Sequence, residues 1–130
     1  MGLCMACDLR IASEDALMTT AFARVGFSGD YGLPWLLTQQ VGRAKALELF
    51  YLSEKLSAQR CLALGLVNRV VPRAQVQKEA MTLAEKLAAI GRPAMQLTKQ
   101  LFHEVADLPL AAALERGRDV NRRMRGFRRG

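Results

Sequence analysis

Asp30 is the one carboxylate in this sequence whose neighbours suggest chemistry. Four of the chain's eight aromatic residues, Phe22, Phe27, Tyr31 and Trp35, fall within the 14 residues around it. Gly29 and Gly32 bracket the acid, and Leu33-Pro34 directly after it opens a helix, because proline fits a first helical turn whose N–H has no partner to lose. Two roles are open to an Asp in that place. It can cap the helix, where its charge suits the positive end of the dipole. Alternatively it can sit in an apolar pocket, where desolvation raises its proton affinity toward a value useful for proton transfer.

The other reactive side chains offer less. Cys4-Met5-Ala6-Cys7 has C-x-x-C spacing, but a zinc site needs two more ligands, and only Cys61 and His103 remain. The expectation for Cys4 and Cys7 is therefore packing, as small apolar residues on a buried helix end. His103, the single histidine, has no serine or cysteine nucleophile beside it and reads as a partly exposed helix residue. Arginines 116, 118, 122, 123, 125, 128 and 129 can contact phosphate or form a solvated face.

These residues need elements to position them. Alternation in Asp8–Ser13 predicts a strand, and Ala16–Thr20 a second short one. Helices follow over Leu33–Val41 and Arg43–Leu52, separated by Gly42. Ser57 is an N-cap for a short helix that stops at Gly65, and Leu66–Val71 reads as a strand ended by Pro72. Beyond it the chain is helical: Ala74–Ile90 with a stripe of Val76, Ala80, Leu83, Ala84 and Leu87, then Ala94–Ala106, then a helix toward Met124. Three strands at most give too little sheet for so many apolar helix stripes, which points to packing on other chains or on further sequence.

Length and composition agree with a folded body. The 130 residues are 51% hydrophobic and 24% charged, which excludes disordered and collagen-like classes. The net charge of +7 is uneven: residues 1–115 hold 12 Lys/Arg against 11 Asp/Glu, and the rest hold seven arginines against Asp119. A basic tail on a near-neutral body is not the spread surface of a nucleic-acid-binding protein. Nothing in the sequence reads as a membrane span or secretory leader, and three cysteines make no disulfide framework, so a cytoplasmic location is expected.

Four segments together resemble a known family. Met1–Ser13 (MGLCMACDLRIAS), Phe22–Leu37 (FARVGFSGDYGLPWLL), Val41–Lys45 (VGRAK) and Ser57–Pro72 (SAQRCLALGLVNRVVP) are similar, in order and spacing, to the second half of the crotonase superfamily. This is the enoyl-CoA hydratase/isomerase group, and the similarity runs from residue 1 to about residue 125. The resemblance implies an α/β fold, a partial ββα spiral followed by a C-terminal helical oligomerisation region. Residues 1–72 would be the remainder of the spiral core with its acyl-pocket loop, and 73–130 the helical region that drives a homotrimer or hexamer. It also implies acyl-CoA thioester substrates and two backbone N–H groups that stabilise a thioester enolate. No metal or redox cofactor is implied, coenzyme A entering as part of the substrate.

Carried over residue by residue, the resemblance puts the family's two hydratase glutamates at Gly2 and Phe22, neither of which moves a proton. Asp30 falls where isomerase-type members hold their acid/base carboxylate, and Phe22, Phe27, Tyr31 and Trp35 would shape the acyl pocket. The glycine-rich approach to the first helix, which supplies one oxyanion N–H, would end just before Met1, with most of the CoA-binding surface upstream. The expectation is a C-terminal half, catalytically inactive by itself, with the missing N-terminal half as a partner and neither nucleic acid nor membrane involved. A non-catalytic oligomerisation module is the alternative.

Overall fold

The structure, a computed structural model, describes residues 1–127; Arg128 and Arg129 of the basic tail lie outside the described residues. The chain divides into two compact units, Met1–Ala80 and Met81–Gly130.

In the first unit, helix α1 (Gly2–Met5) leads to strand β1 (Ile11–Ser13) and strand β2 (Leu17–Met18). A 3-10 turn (Phe22–Val25) and a loop precede α2 (Leu33–Val41) and α3 (Arg43–Leu52). Then come β3 (Leu56–Ser57), α4 (Ala58–Ala63), β4 (Arg69–Val71), a 3-10 turn (Arg73–Gln75) and the start of α5 (Val76–Ala88). The helices α2 and α3 take the bounds expected of them. Gly42 separates them at φ +77°, a conformation that glycine adopts without steric cost.

The strands are shorter than their patterns suggested and make two pairs, not one sheet. β1 runs parallel to β4, with Ile11 opposite Arg69 and Ser13 opposite Val71. β2 runs antiparallel to β3, with Leu17 opposite Ser57. Parallel strands need a long crossover, and here it holds everything from β2 to α4. Side chains reinforce this closure. The Arg10 N–H donates to Asn68 Oδ1 at 2.8 Å while the Asn68 N–H donates to the Arg10 carbonyl at 2.8 Å. Arg73 pairs with Asp15 at 2.9 Å beyond the other end of the ladder, and Arg69 pairs with Glu79 of α5.

Helical spacing explains the core. Leu33 and Leu37, four apart on α2, face inward and are fully buried, as are Leu66 and Cys61. Met5, Ala46, Leu49, Leu56 and Val67 complete the cluster. Full burial of each leucine contributes about 1.5–3 kcal/mol. α4 is capped as its sequence indicates: the Arg60 N–H donates to Ser57 Oγ at 3.2 Å. The buried Thr20 hydroxyl donates to the Leu49 carbonyl at 3.0 Å and lies 3.2 Å from Ser53 Oγ, holding the start of the loop to the end of α3.

The second unit holds the end of α5, then α6 (Arg92–Val105) and α7 (Leu110–Phe127), which pack on each other. Arg116 of α7 donates to the Glu104 carboxylate of α6, and Gln100 donates to the same group at 2.8 Å. Val120 is buried, whereas Phe102, Leu108, Leu110 and Leu114 are exposed. Along α5, Val76, Ala80, Leu83 and Leu87 are half-buried and Ala84 is exposed. No described helix is long and apolar enough to cross a membrane.

Candidate active site

Asp30 lies on a loop bent by its own backbone. Ala21, Gly26, Gly29, Tyr31 and Gly32 all take positive φ, at +58°, +78°, +112°, +55° and +67°. For Ala21 and Tyr31 that conformation is strained, by about 1–3 kcal/mol each, and the surrounding structure must hold it. Several contacts do. The Phe27 N–H donates to the Phe22 carbonyl at 3.0 Å, and the Leu33 N–H donates to the Asp30 carbonyl at 3.1 Å. Gly29 is wedged against α2 and α3: a β-carbon there would stand 2.8 Å from the Phe50 ring and 3.1 Å from Pro34. Phe50 stacks on Phe22, with centroids 6.2 Å apart and planes 16° from parallel.

The Asp30 side chain is exposed, and its Oδ1 accepts the Tyr31 N–H at 2.7 Å. This bond to the next residue is not the expected helix cap, since α2 starts from Gly32 and has no side-chain cap bond. The other carboxylate oxygen has no partner among the described residues. Beside the loop is a mostly apolar hollow of about 320 Å³ between the 3-10 turn, α2 and α3. Phe27, Ser28, Pro34, Leu47, Phe50 and Tyr51 line it, with Arg43 also in its wall. Asp30 is not in that wall; Phe27, Ser28 and Pro34, which flank it in sequence, are.

The four expected aromatic residues separate into two kinds. Phe22 is half-buried and joins the core through Phe50. Phe27, Tyr31 and Trp35 are 70%, 70% and 58% exposed. Trp35 is outward because Leu33 and Leu37 take the inner face of α2. Gly2 approaches the loop as well, since a β-carbon on it would lie 3.1 Å from Tyr31 Cβ. The position that the resemblance gives to the family's first glutamate therefore adjoins the Asp30 loop. Sequence reasoning missed Phe50, Tyr51 and Arg43, although an aromatic pair closing α3 was a visible signal.

Cys4 and Cys7 are both exposed, which corrects the expectation that they pack inside. On α1 the inward face goes to Met1 and Met5, so Cys4, next to Met5 and about 100° round the helix, is turned outward, and Cys7 lies beyond the helix end. The third cysteine, Cys61, is the buried one, and burial pushes its thiol pKa up. His103 is exposed on α6. Among the described residues no three His, Cys, Asp or Glu side chains are grouped to hold a metal ion.

Asp30 thus lies exposed on a glycine-bent loop that also carries exposed Phe27 and Tyr31, with exposed Trp35 just after it and a mostly apolar hollow beside it. Comparison with known proteins names the class. The pattern of the enoyl-CoA hydratase/isomerase family matches residues 1–125, and the chain belongs to that family. Human enoyl-CoA hydratase domain-containing protein 3, mitochondrial, is 36% identical over 112 residues, covering 85% of this chain and 36% of the human protein. An enoyl-CoA hydratase from Polaromonas sp. JS666 superposes with a TM-score of 0.88 at 35% identity, covering 94% of this chain and 48% of that one. A Thermobifida fusca protein designated an enoyl-CoA hydratase, solved with acetoacetyl-CoA, gives a TM-score of 0.91 at 25% identity, over 95% of this chain and 48% of that one. The α/β crotonase-like fold is thus shared, and the chain spans less than half the length of these relatives.

Proposed function

We propose that this chain is the C-terminal half of an acyl-CoA isomerase of the crotonase type, with Asp30 as the acid/base that removes a proton from one carbon of an enolisable thioester and returns it to another. One observation carries the reading: Asp30, with Phe27, Tyr31 and Trp35 exposed near it in sequence, lies on the loop beside the apolar hollow, and in this proposal the remaining half supplies the desolvation. Three exposed aromatic side chains within nine residues suit a surface that a ligand or partner covers. The family's two glutamate positions hold Gly2 and Phe22, so a single-carboxylate shuttle fits better than paired-glutamate water addition. The T. fusca relative's acetoacetyl-CoA complex supports an acyl-CoA substrate.

Enolate stabilisation needs N–H donors fixed on the thioester oxygen, and loss of one such donor costs about 10²–10³-fold in rate. In this proposal those donors and most of the CoA surface come from the remaining half, so the chain alone gives little turnover. The part from residue 73 onward acts as the trimerisation region, with exposed Phe102, Leu110 and Leu114 available for subunit packing. No metal or redox cofactor, nucleic acid or membrane enters the reaction. The cytoplasmic location belongs to the proposal too, although the human relative's name places that protein in mitochondria.

The test is an assay of 2-enoyl- and 3-enoyl-CoA substrates with this chain and with a form extended by its upstream coding sequence. Double-bond migration by the extended form, lost in Asp30→Asn, is the expected result. Strong turnover by the chain alone, or an unaffected Asp30→Asn form, overturns it. A second reading, a non-catalytic oligomerisation module, rests on the exposed apolar residues of α6 and α7. It predicts trimers that bind no acyl-CoA by calorimetry.

A further inference from the structure

We infer that Cys4 and Cys7 form a dithiol site that closes to a disulfide in exchange with low-molecular-weight disulfides. Both thiols are exposed, and the Cys7 N–H donates to the Cys4 carbonyl at 3.2 Å. A turn closed by such a bond keeps its end Cα atoms within about 7 Å, and disulfides span Cα separations of about 4.4–6.8 Å. The Cys7 thiol donates to the Leu3 carbonyl at 3.5 Å, which folds it back over the turn that carries Cys4. Cys7 also lies beyond the end of α1, past the capping residue Ala6, so its side chain can swing to meet its partner without breaking a helix. Among the described residues no third metal-ligating side chain is grouped with the pair.

The exchange balances without any group outside the two partners. One cysteine thiolate attacks a sulfur of the small disulfide, its S–S bond breaks and one thiolate leaves. The second cysteine then attacks the mixed disulfide, forming the Cys4–Cys7 bond and releasing the other thiol. The cysteine pair is oxidised by two electrons, the reagent is reduced by two, and the two cysteine protons end on the released thiols. The bond would fix the last turn of α1, the helix whose Gly2 lies against Tyr31 of the Asp30 loop.

The experiment treats the reduced full chain with oxidised glutathione, without denaturant, and follows intact mass and thiol alkylation. The expected product has lost the mass of two hydrogens, carries no glutathione, and has Cys4 and Cys7 both closed to iodoacetamide, while buried Cys61 alkylates only after unfolding. Cys4→Ser and Cys7→Ser should each stop at a single stable glutathione adduct, which a merely exposed pair would not convert into a ring in the parent chain. Stable adducts on the parent, a disulfide-linked dimer, or two thiols left unreacted would each overturn the inference. None of these outcomes depends on acyl-CoA chemistry, so the two proposals fail separately.

Discussion

Gly29 sits flush against the ring of Phe50: a β-carbon on the glycine would stand 2.8 Å from Cε1, closer than carbon atoms pack. With φ at +112°, the backbone at Gly29 is also one that L side chains avoid. Gly29→Ala should therefore lower stability by about 1–3 kcal/mol through overpacking and strain. Gly32→Ala, at φ +67° with open space beside it, meets the backbone cost alone and should lose less. Urea denaturation of the two variants checks the order.

Asp30→Asn should leave the fold intact, because an amide oxygen can still accept the Tyr31 N–H that Oδ1 accepts now. In a catalytically complete form it should reduce isomerisation by about 10²–10⁴-fold, the usual contribution of a positioned acid/base. Unchanged circular dichroism with lost turnover is the expected pair of results.

The bonds from Arg116, and then from Gln100, hold the Glu104 carboxyl below its ordinary value of 4.5. A carboxylate whose folded pKa is depressed contributes stability above the unfolded value, and loses that contribution as pH falls through the folded value. Helices α6 and α7 should accordingly melt at lower temperature as the solution is acidified from about pH 5, the acid range in which such carboxylates protonate. Glu104→Gln should flatten that dependence. Thermal melts across this range, followed by helix ellipticity, make the comparison.

Leu37→Ala removes a fully buried side chain from the inner face of α2 and should cost about 2–5 kcal/mol, the spread seen for core cavities. Ser57→Ala loses the bond from the Arg60 N–H at the start of α4 and should cost about 1 kcal/mol. Both are read by chemical denaturation.

Local chemistry made much of this fold legible. Pro34 and the glycines at 32 and 42 mark the bounds of α2, and Ser57 marks the start of α4, because caps and breakers act over one or two residues. The strands were less legible. Leu66 and Val67 read as strand but go wholly to the core, leaving only Arg69–Val71 to pair with β1. A partner 58 residues away sets that pairing, as Ile11 opposite Arg69 shows, and no local pattern encodes it. The site divides in the same way. Its aromatic clustering around Asp30 is a matter of spacing, whereas the exposure of that acid and the thiols of α1 depends on which face each element buries.

The clasp of β1 on β4 has a consequence for how the chain acquires its shape. The bend around Asp30 and the helices that brace it all lie inside the crossover that the clasp ties off. The contacts that hold the bend, from Thr20 to Ser53, are available once α3 has left the ribosome, whereas Val71 must still reach back to Ser13. The bend around Asp30 is thus placed to take shape before the clasp shuts behind it.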